Sequence, residues 1–378
     1  MDVATQTRLA DRIRALRAAG TTDLAARTYR VAADDYTSPT VLAAELDVVF
    51  ARRPLLAGLS GDARRPGDWF TFEACGRSAL VWRAPDGVLR AFVNACRHRG
   101  MRVAEGAGHA ERMIVCPYHS WSYTPDGRLN AIPGDEGFSD LAREEIALTP
   151  LRVHEQAGLV FVGGDAADPS DPCEGAAAEL APFGLGAYQQ VERRTHRLPL
   201  NWKLAVDSFM EAYHLHFLHK DTLRPIFHGN VSAFDAFGRH SRIVGVRRTF
   251  DTLAADSSEL LPHVTLLYQL FPNAVLIYQQ DHVELYQAFP DLTDPHTAEV
   301  RLTLYAPAAP TTDAERAYWK KNIDLIDGVT TSEDFAACAA IHANLRARAI
   351  PFLILGRNEP GVAHFHRMLH GVLGHAGG

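Results

Sequence analysis

The chain has 378 residues, of which 47% are hydrophobic, and a formal net charge of −7. That is enough apolar material for one large or two medium cores, and its scattered basic residues form no nucleic-acid groove and no patch for an anionic membrane. No run approaches the roughly 18 apolar residues of a spanning helix, and the opening MDVATQTRLADRIRALRAAG lacks a secretory core, so a soluble, cytoplasmic protein is expected.

Residues 1–40 read as an amphipathic helix and a connector, with no chemistry assigned to them. Residues 41–165 read as a small β domain with flanking segments. Within it, ALVWRAPDGVLRAFVNAC reads as two strands about a Pro85-Asp86-Gly87 turn, and SYTPDGRL at 122–129 repeats the signal. The five cysteines, at irregular spacing, make no disulfide framework.

Two of those cysteines carry a pattern: Cys96-x-His98, seventeen intervening residues, then Cys116-x-x-His119. Zinc would accept two thiolates and two imidazoles, but structural zinc usually pairs like with like. Mixed pairs suit a two-iron cluster in which one iron keeps both cysteines and the other both histidines, each hairpin tip supplying one ligand to each iron. Gly100 and Pro117 stand where tight turns are needed, and Tyr118 and Trp121 are placed to shield such a cluster. GLVFVGGDAADPSDP at 158–172 reads as the boundary to a second domain, 166–378.

In that domain, LNWKLAVDSFMEAYHLHFLHKDTL at 200–223 offers Asp207, Glu211, His214, His216 and His219. Apolar spacing predicts a helix that sets Asp207, Glu211 and His214 on one face; His219 aligns only if the helix widens or ends near Leu218. AVLIYQQ, HVELYQAFP and EVRLTLYAP alternate as strands of an antiparallel sheet, with long helices predicted at about 312–327 and 332–348. The second helix offers Glu333 and Asp334 at a start capped by Thr331 or Ser332. Periodicity puts Asp334 on the apolar stripe with Cys338, Ile341 and Leu345, where an unpaired carboxylate costs several kcal/mol, and this favours a ligand role. The C-terminal histidines His364, His366 and His370 are predicted to ride the wetter faces of a docking helix and hold no metal.

From about Val41 to Met368 these features resemble the catalytic alpha subunits of Rieske non-heme iron oxygenases, the ring-hydroxylating family. The resemblance implies an α+β chain: a small all-β Rieske [2Fe-2S] domain, then a helix-grip catalytic domain of antiparallel sheet and packed helices. It assigns Cys96, His98, Cys116 and His119 to the cluster. The acid-x-x-His-x4-His pattern assigns His214 and His219, with Asp334, to a mononuclear Fe(II), and leaves His216 out. It places Glu211, reinforced by Asp207, as a bridge between the cluster of one chain and the iron of the next in a homotrimer. No G-x-G-x-x-G fingerprint is present, so a separate NAD(P)H-dependent reductase, with or without a ferredoxin, is implied. The expected reaction is mono- or dioxygenation of an aromatic or other hydrophobic ring compound. The alternative is oxidation of a quaternary ammonium compound such as a betaine or carnitine, which the glutamate at 211 and FMEAYH resemble more. Phe227, Leu267, Tyr268, Phe271, Tyr278 and Tyr286 are the candidate pocket residues.

Overall fold

The computed structural model describes residues 1–164, 171–254, 257 and 259–374. The chain forms two compact units, one of residues 50–172 with 184–189, the other of 1–49, 173–183 and 190–378. The boundary expected within 158–172 falls partly on 165–170, outside the described residues. No described helix is long and apolar enough to cross a membrane.

The smaller unit is built of short antiparallel strands. A five-stranded sheet runs in the order 150–151, 89–93, 77–83, 68–74 and 107–109; a second sheet joins 153–156, 159–163 and 54–59; a third joins 114–115, 122–123 and 129–131. Both Pro-Asp-Gly signals make the predicted hairpins. Gly87 and Gly127 take positive φ, and their amides donate to Ala84 and Thr124 carbonyls at 2.9 and 2.8 Å. A side chain at 127 would also strike the Phe92 ring. The core gathers Leu80, Trp82, Phe92, Trp121 and Tyr123 around Cys96 and Cys116.

The larger unit is organised by a seven-stranded antiparallel sheet in the order 189–198, 298–306, 283–290, 274–278, 264–270, 240–247 and 227–237. Alternation in HVELYQAFP predicts a strand with one polar face, yet Val283–Pro290 is buried throughout. The reason is that both faces of the sheet are covered: residues 173–183 lie on one, with Phe183 against Tyr268 and Tyr278 and Glu179 bonded to Tyr268 and Arg242. Helices Trp202–Asp207 and Pro360–Leu373 pack on the sheet as well.

The two long helices form as Asp313–Val329 and Phe335–Arg346, the first opened by a capping box between Thr312 and Glu315. They are not separated by a cap. Thr330–Asp334 is a π-helical turn that joins them into one rod, and the Thr331 and Ser332 hydroxyls donate back to the Asp327 and Gly328 carbonyls at 2.6 Å. Asp334 is therefore not the N-terminal acid of a new helix. The buried stripe downstream is Phe335, Cys338, His342 and Leu345, and Ile341 lies outside it, exposed.

Candidate functional site

In the smaller unit, the two cysteine–histidine pairs sit on matching turns. The Cys96 amide donates to Met101 O at 2.7 Å and the Cys116 amide to Trp121 O at 2.8 Å; Gly100 and Ser120 donate back to the Cys96 and Cys116 carbonyls, both with positive φ. The repeated geometry brings the Nδ1 atoms of His98 and His119 to 3.1 Å of each other, with both sulfurs buried in the core and both imidazoles half-exposed. Two imidazole nitrogens aimed at one another have one proton position between them, an arrangement that a bound metal satisfies. The donor set fits a [2Fe-2S] cluster with a buried sulfur-ligated edge and an accessible histidine edge.

Aromatic rings frame that edge. His98 stacks on Trp121 at 4.9 Å, Phe138 stands edge-on to both, and Tyr118 lies against His119. Tyr123 was not singled out by sequence. Its hydroxyl accepts from the Arg97 amide at 2.9 Å and lies 3.1 Å from Cys96 Sγ, where it can donate to a thiolate. Burial pushes the Cys96 thiol pKa up, and the Tyr123 bond pulls it down.

In the larger unit, the 200–223 segment departs from the predicted continuous helix. Asn201 caps Trp202–Asp207, the helix ends at Ser208, and the chain turns before a short 3-10 turn, His214–His216. The i, i+4, i+7 stripe consequently does not form. Asp207 instead accepts from the Tyr36 hydroxyl at 2.8 Å and pairs with His366 Nε2 at 2.9 Å, while still lining a cavity with Glu211 and His214.

Breaking the helix is what brings the remaining candidates together. The Nε2 atoms of His214 and His219 approach the same oxygen, Asp334 Oδ1, at 3.4 and 3.1 Å, and a ligand atom from each residue lies within 4.8 Å of the others. Behind each ring, the far nitrogen is held by a second carboxylate: His214 Nδ1 by Glu211, and His219 Nδ1 by Glu333 at 2.6 Å, where Thr222 also donates. Burial opposes protonation of His214, but the bonds and charges of Asp334 and Glu211 lift its pKa to about 10; the same opposition raises His219 and holds Asp334 low. Two imidazoles and a carboxylate with fixed outer hydrogen bonds fit a facial triad for a mononuclear iron.

His216 stands apart from this group, against Phe217 and Gly229. The C-terminal histidines are not on wet faces: His364 and His366 are buried, His366 meets Asp207 and Tyr36, and His370 meets Asp35 and Tyr29.

The triad opens onto a cavity of about 310 Å³. Alternate residues of adjacent strands form its wall: Ile243, Gly245 and Arg247, then Thr265 and Leu267, Ile277 and Gln279, and Glu284 and Tyr286. Of the predicted pocket residues, Phe227, Leu267 and Tyr286 line it. Tyr268 and Tyr278 fall on the opposite face of the sheet, against Phe183, and Phe271 is outside the lining. Glu284, Gln279 and Arg247 were missed, and Glu333 was set aside in favour of Asp334. The same two-residue alternation that runs through IVGVR could have found Arg247.

A family model described as ring hydroxylating alpha subunit (catalytic domain) matches residues 185–374, and one described as Rieske [2Fe-2S] domain matches 55–144. The carnitine monooxygenase oxygenase subunit of Acinetobacter baumannii is 34% identical over 184 residues, 47% of this chain and 49% of that protein. Biphenyl 2,3-dioxygenase subunit alpha of Rhodococcus jostii is 31% identical over 50% of this chain and 43% of that protein. The chain thus spans about half the length of the curated relatives it matches. Among solved structures, the quaternary ammonium Rieske monooxygenase CntA has a similar fold, with a TM-score of 0.79 and 24% identity over 93% of this chain and 96% of that one.

Proposed function

Since the chain belongs to the ring-hydroxylating alpha-subunit family of Rieske oxygenases, we propose that it is an oxygenase whose substrate is a quaternary ammonium compound of betaine or carnitine type, oxidised by monooxygenation. The observation that carries the oxygenase reading is the convergence of His214, His219 and Asp334 on the lining of a cavity. The substrate reading departs from the aromatic-ring expectation. It is supported by the similarity to a carnitine oxygenase subunit and to the fold of CntA, and by glutamate at 211.

Iron at His214, His219 and Asp334 would supply oxygen activation, and a [2Fe-2S] cluster at Cys96, His98, Cys116 and His119 would pass on the reductase's electrons; with two electrons and two protons, one oxygen atom would enter the substrate and the other would leave as water. Around that chemistry the protein's own groups have definable tasks. Glu211 and Glu333 fix the orientation of the two imidazoles so that both Nε2 atoms face Asp334. Phe209 and Tyr286, their rings 4.4 Å apart, offer aromatic faces that attract a trimethylammonium group. Ile243, Leu267 and Ile277 make an apolar rung across the wall that ends at Glu284.

Electron supply from a separate reductase, and passage between copies in a homotrimer, belong to the same proposal. Glu211, bonded to Nδ1 of His214, is the group proposed to meet the cluster edge of another copy. Glu211→Ala, loaded with excess iron to offset the weakened hold on His214, should carry both metals yet stop turnover driven by external electrons, and normal turnover in that iron-loaded variant would remove the bridge.

Single turnover of the chemically reduced protein with oxygen, against quaternary ammonium and aromatic compounds, tests the substrate. Oxidation or dealkylation of an ammonium compound, read by mass spectrometry, is expected. Oxygen incorporated only into aromatic rings would replace this reading with the earlier expectation.

A further inference from the structure

Arg247 is a cation on the cavity wall whose hydrogen-bond partners are all neutral. Its Nε and Nη2 donate to Thr265 Oγ1 at 3.3 and 3.2 Å, and Nη2 donates also to Gln279 Oε1 at 2.8 Å. Among the described residues, Nη1 donates to no protein acceptor, although the residue lines the cavity. The nearby carboxylate that could have paired with it, Glu284, is kept one side chain away. Gln279 lies between them, accepting from Arg247 with its oxygen and donating to Glu284 Oε1 at 2.9 Å with its nitrogen. Glu284 in turn meets His282, which Asp281 also holds, and these acids raise the histidine's pKa against the effect of burial.

The amide cannot turn over without losing three bonds at once, since Thr265 also donates to Gln279 Oε1 at 2.9 Å. The guanidinium is thus held in a fixed direction with its outer nitrogen open to the cavity. Burial pulls the Arg247 pKa down, with Asp281 and Glu284 pushing it back, so the cation is partly stripped of water and has no contacting counter-charge. An arginine in that condition is completed by an anionic oxygen from outside the protein.

The strand register places this group at one end of the wall. Gly245 pairs with Thr265, and Gln279 follows the last rung of its strand, whereas Tyr286 pairs with Val275 further along the sheet. Polar groups therefore occupy the end with Arg247, and Tyr286 with Phe209 the other.

We propose that Arg247, positioned by Thr265 and Gln279, binds a carboxylate of the substrate, so that the cavity takes organic acids and, on the reading given above, ammonium carboxylates in preference to ammonium alcohols or uncharged rings. The proposal rests on this cavity being the oxygenase pocket. It is narrower than that reading, because it names the residue that meets the carboxylate and makes that contact the basis of selection.

The test is anaerobic calorimetry and single turnover with the iron-loaded protein, using γ-butyrobetaine and its methyl ester, and benzoate and methyl benzoate. The unmodified protein is expected to prefer each acid to its ester by roughly 10- to 100-fold, the span of a hydrogen bond to a charged group. Arg247→Gln should bring the acid down to the level of the ester with iron content unchanged, and Arg247→Lys should keep part of the preference. An Arg247→Gln protein that binds acids as before, or loses acid and ester alike with its iron in place, overturns the assignment. Should that variant lose its iron, the acid-to-ester ratio of Arg247→Lys decides the matter: an unchanged ratio overturns it and a lowered one supports it. If only the benzoate pair shows the Arg247-dependent preference, the quaternary ammonium reading fails and the anion site stands.

Discussion

The two candidate metal sites are assembled in opposite ways. Twenty-one positions separate His98 from His119, and both lie on short turns of the same kind, repeated. The catalytic set joins His219 to Asp334 across 115 positions, and its geometry depends on a helix that stops early and another that does not stop at all. A local site can be recognised by spacing, because spacing is its geometry. A site closed by tertiary structure shows in sequence only the residue types, and its outer partners stay hidden.

Substitutions can break that contrast, beginning with the ligands. Asp334→Ala should abolish turnover and lose the mononuclear iron while the visible absorption of the cluster persists; Cys96→Ser should do the reverse, losing the colour and keeping the iron at the other site. Metal analysis and absorption spectra check both, and loss of both metals in either variant would show that the sites are not independent.

A second break concerns the tether of the long-range site. Lys203 is wholly buried and bonded to Glu45, which also accepts from the Trp202 indole at 2.8 Å, so the helix leading to His214 is fixed to a residue far upstream. Lys203→Met leaves a buried carboxylate unpaired and should destabilise the protein by about 3–5 kcal/mol, measured by denaturant unfolding. Glu333→Gln comes next. Weakening the hydrogen bond that orients His219 should lower iron affinity by roughly 10- to 100-fold, read by chelator competition, without changing the cluster.

Two smaller effects sharpen the comparison. Tyr123→Phe removes the hydroxyl that can donate to Cys96 and should lower the midpoint potential of the cluster in redox titration, leaving the catalytic iron in place. His342 tests the larger unit away from the metals. It is buried beside His296, its Nε2 at 3.0 Å from His296 Nδ1, and burial with that neighbour depresses its pKa to about 4. A histidine depressed on folding stabilises above its unfolded pKa, roughly 6.5, and that contribution is lost as pH falls from there toward about 4. His342→Leu should flatten the decline of Tm over that interval.

Much of the architecture could be read from sequence where a single physical rule governed it. Pro-Asp-Gly turns, strand alternation and the Cys-x-His pattern are local, and each appears where expected. Other readings failed for non-local reasons. Periodicity extended the 200–223 helix past Asp207 because it counts faces without seeing that His214 and His219 must both reach Asp334. Thr331 and Ser332 resembled caps, but their hydroxyls bond backward to carbonyls of a helix that continues. Tyr268 and Tyr278 shared an aromatic-rich stretch with Tyr286, yet strand register sends them to the far face. Glu333, set aside because it lies off the apolar stripe, holds His219 from there.

The wide turn at Thr330–Asp334 acts as a phase shifter in a single rod. Each residue of an α-helix advances about 100°, so one extra residue accommodated in a π turn rotates everything after it relative to what precedes it. The rod can thereby show Ile326 and Val329 to the cavity and, beyond the shift, Cys338 and Leu345 to the core, with Asp334 at the changeover. Removing Ser332 would restore uniform winding and leave the chain to choose: keep the core contacts of the second segment, or keep a carboxylate in front of the histidines.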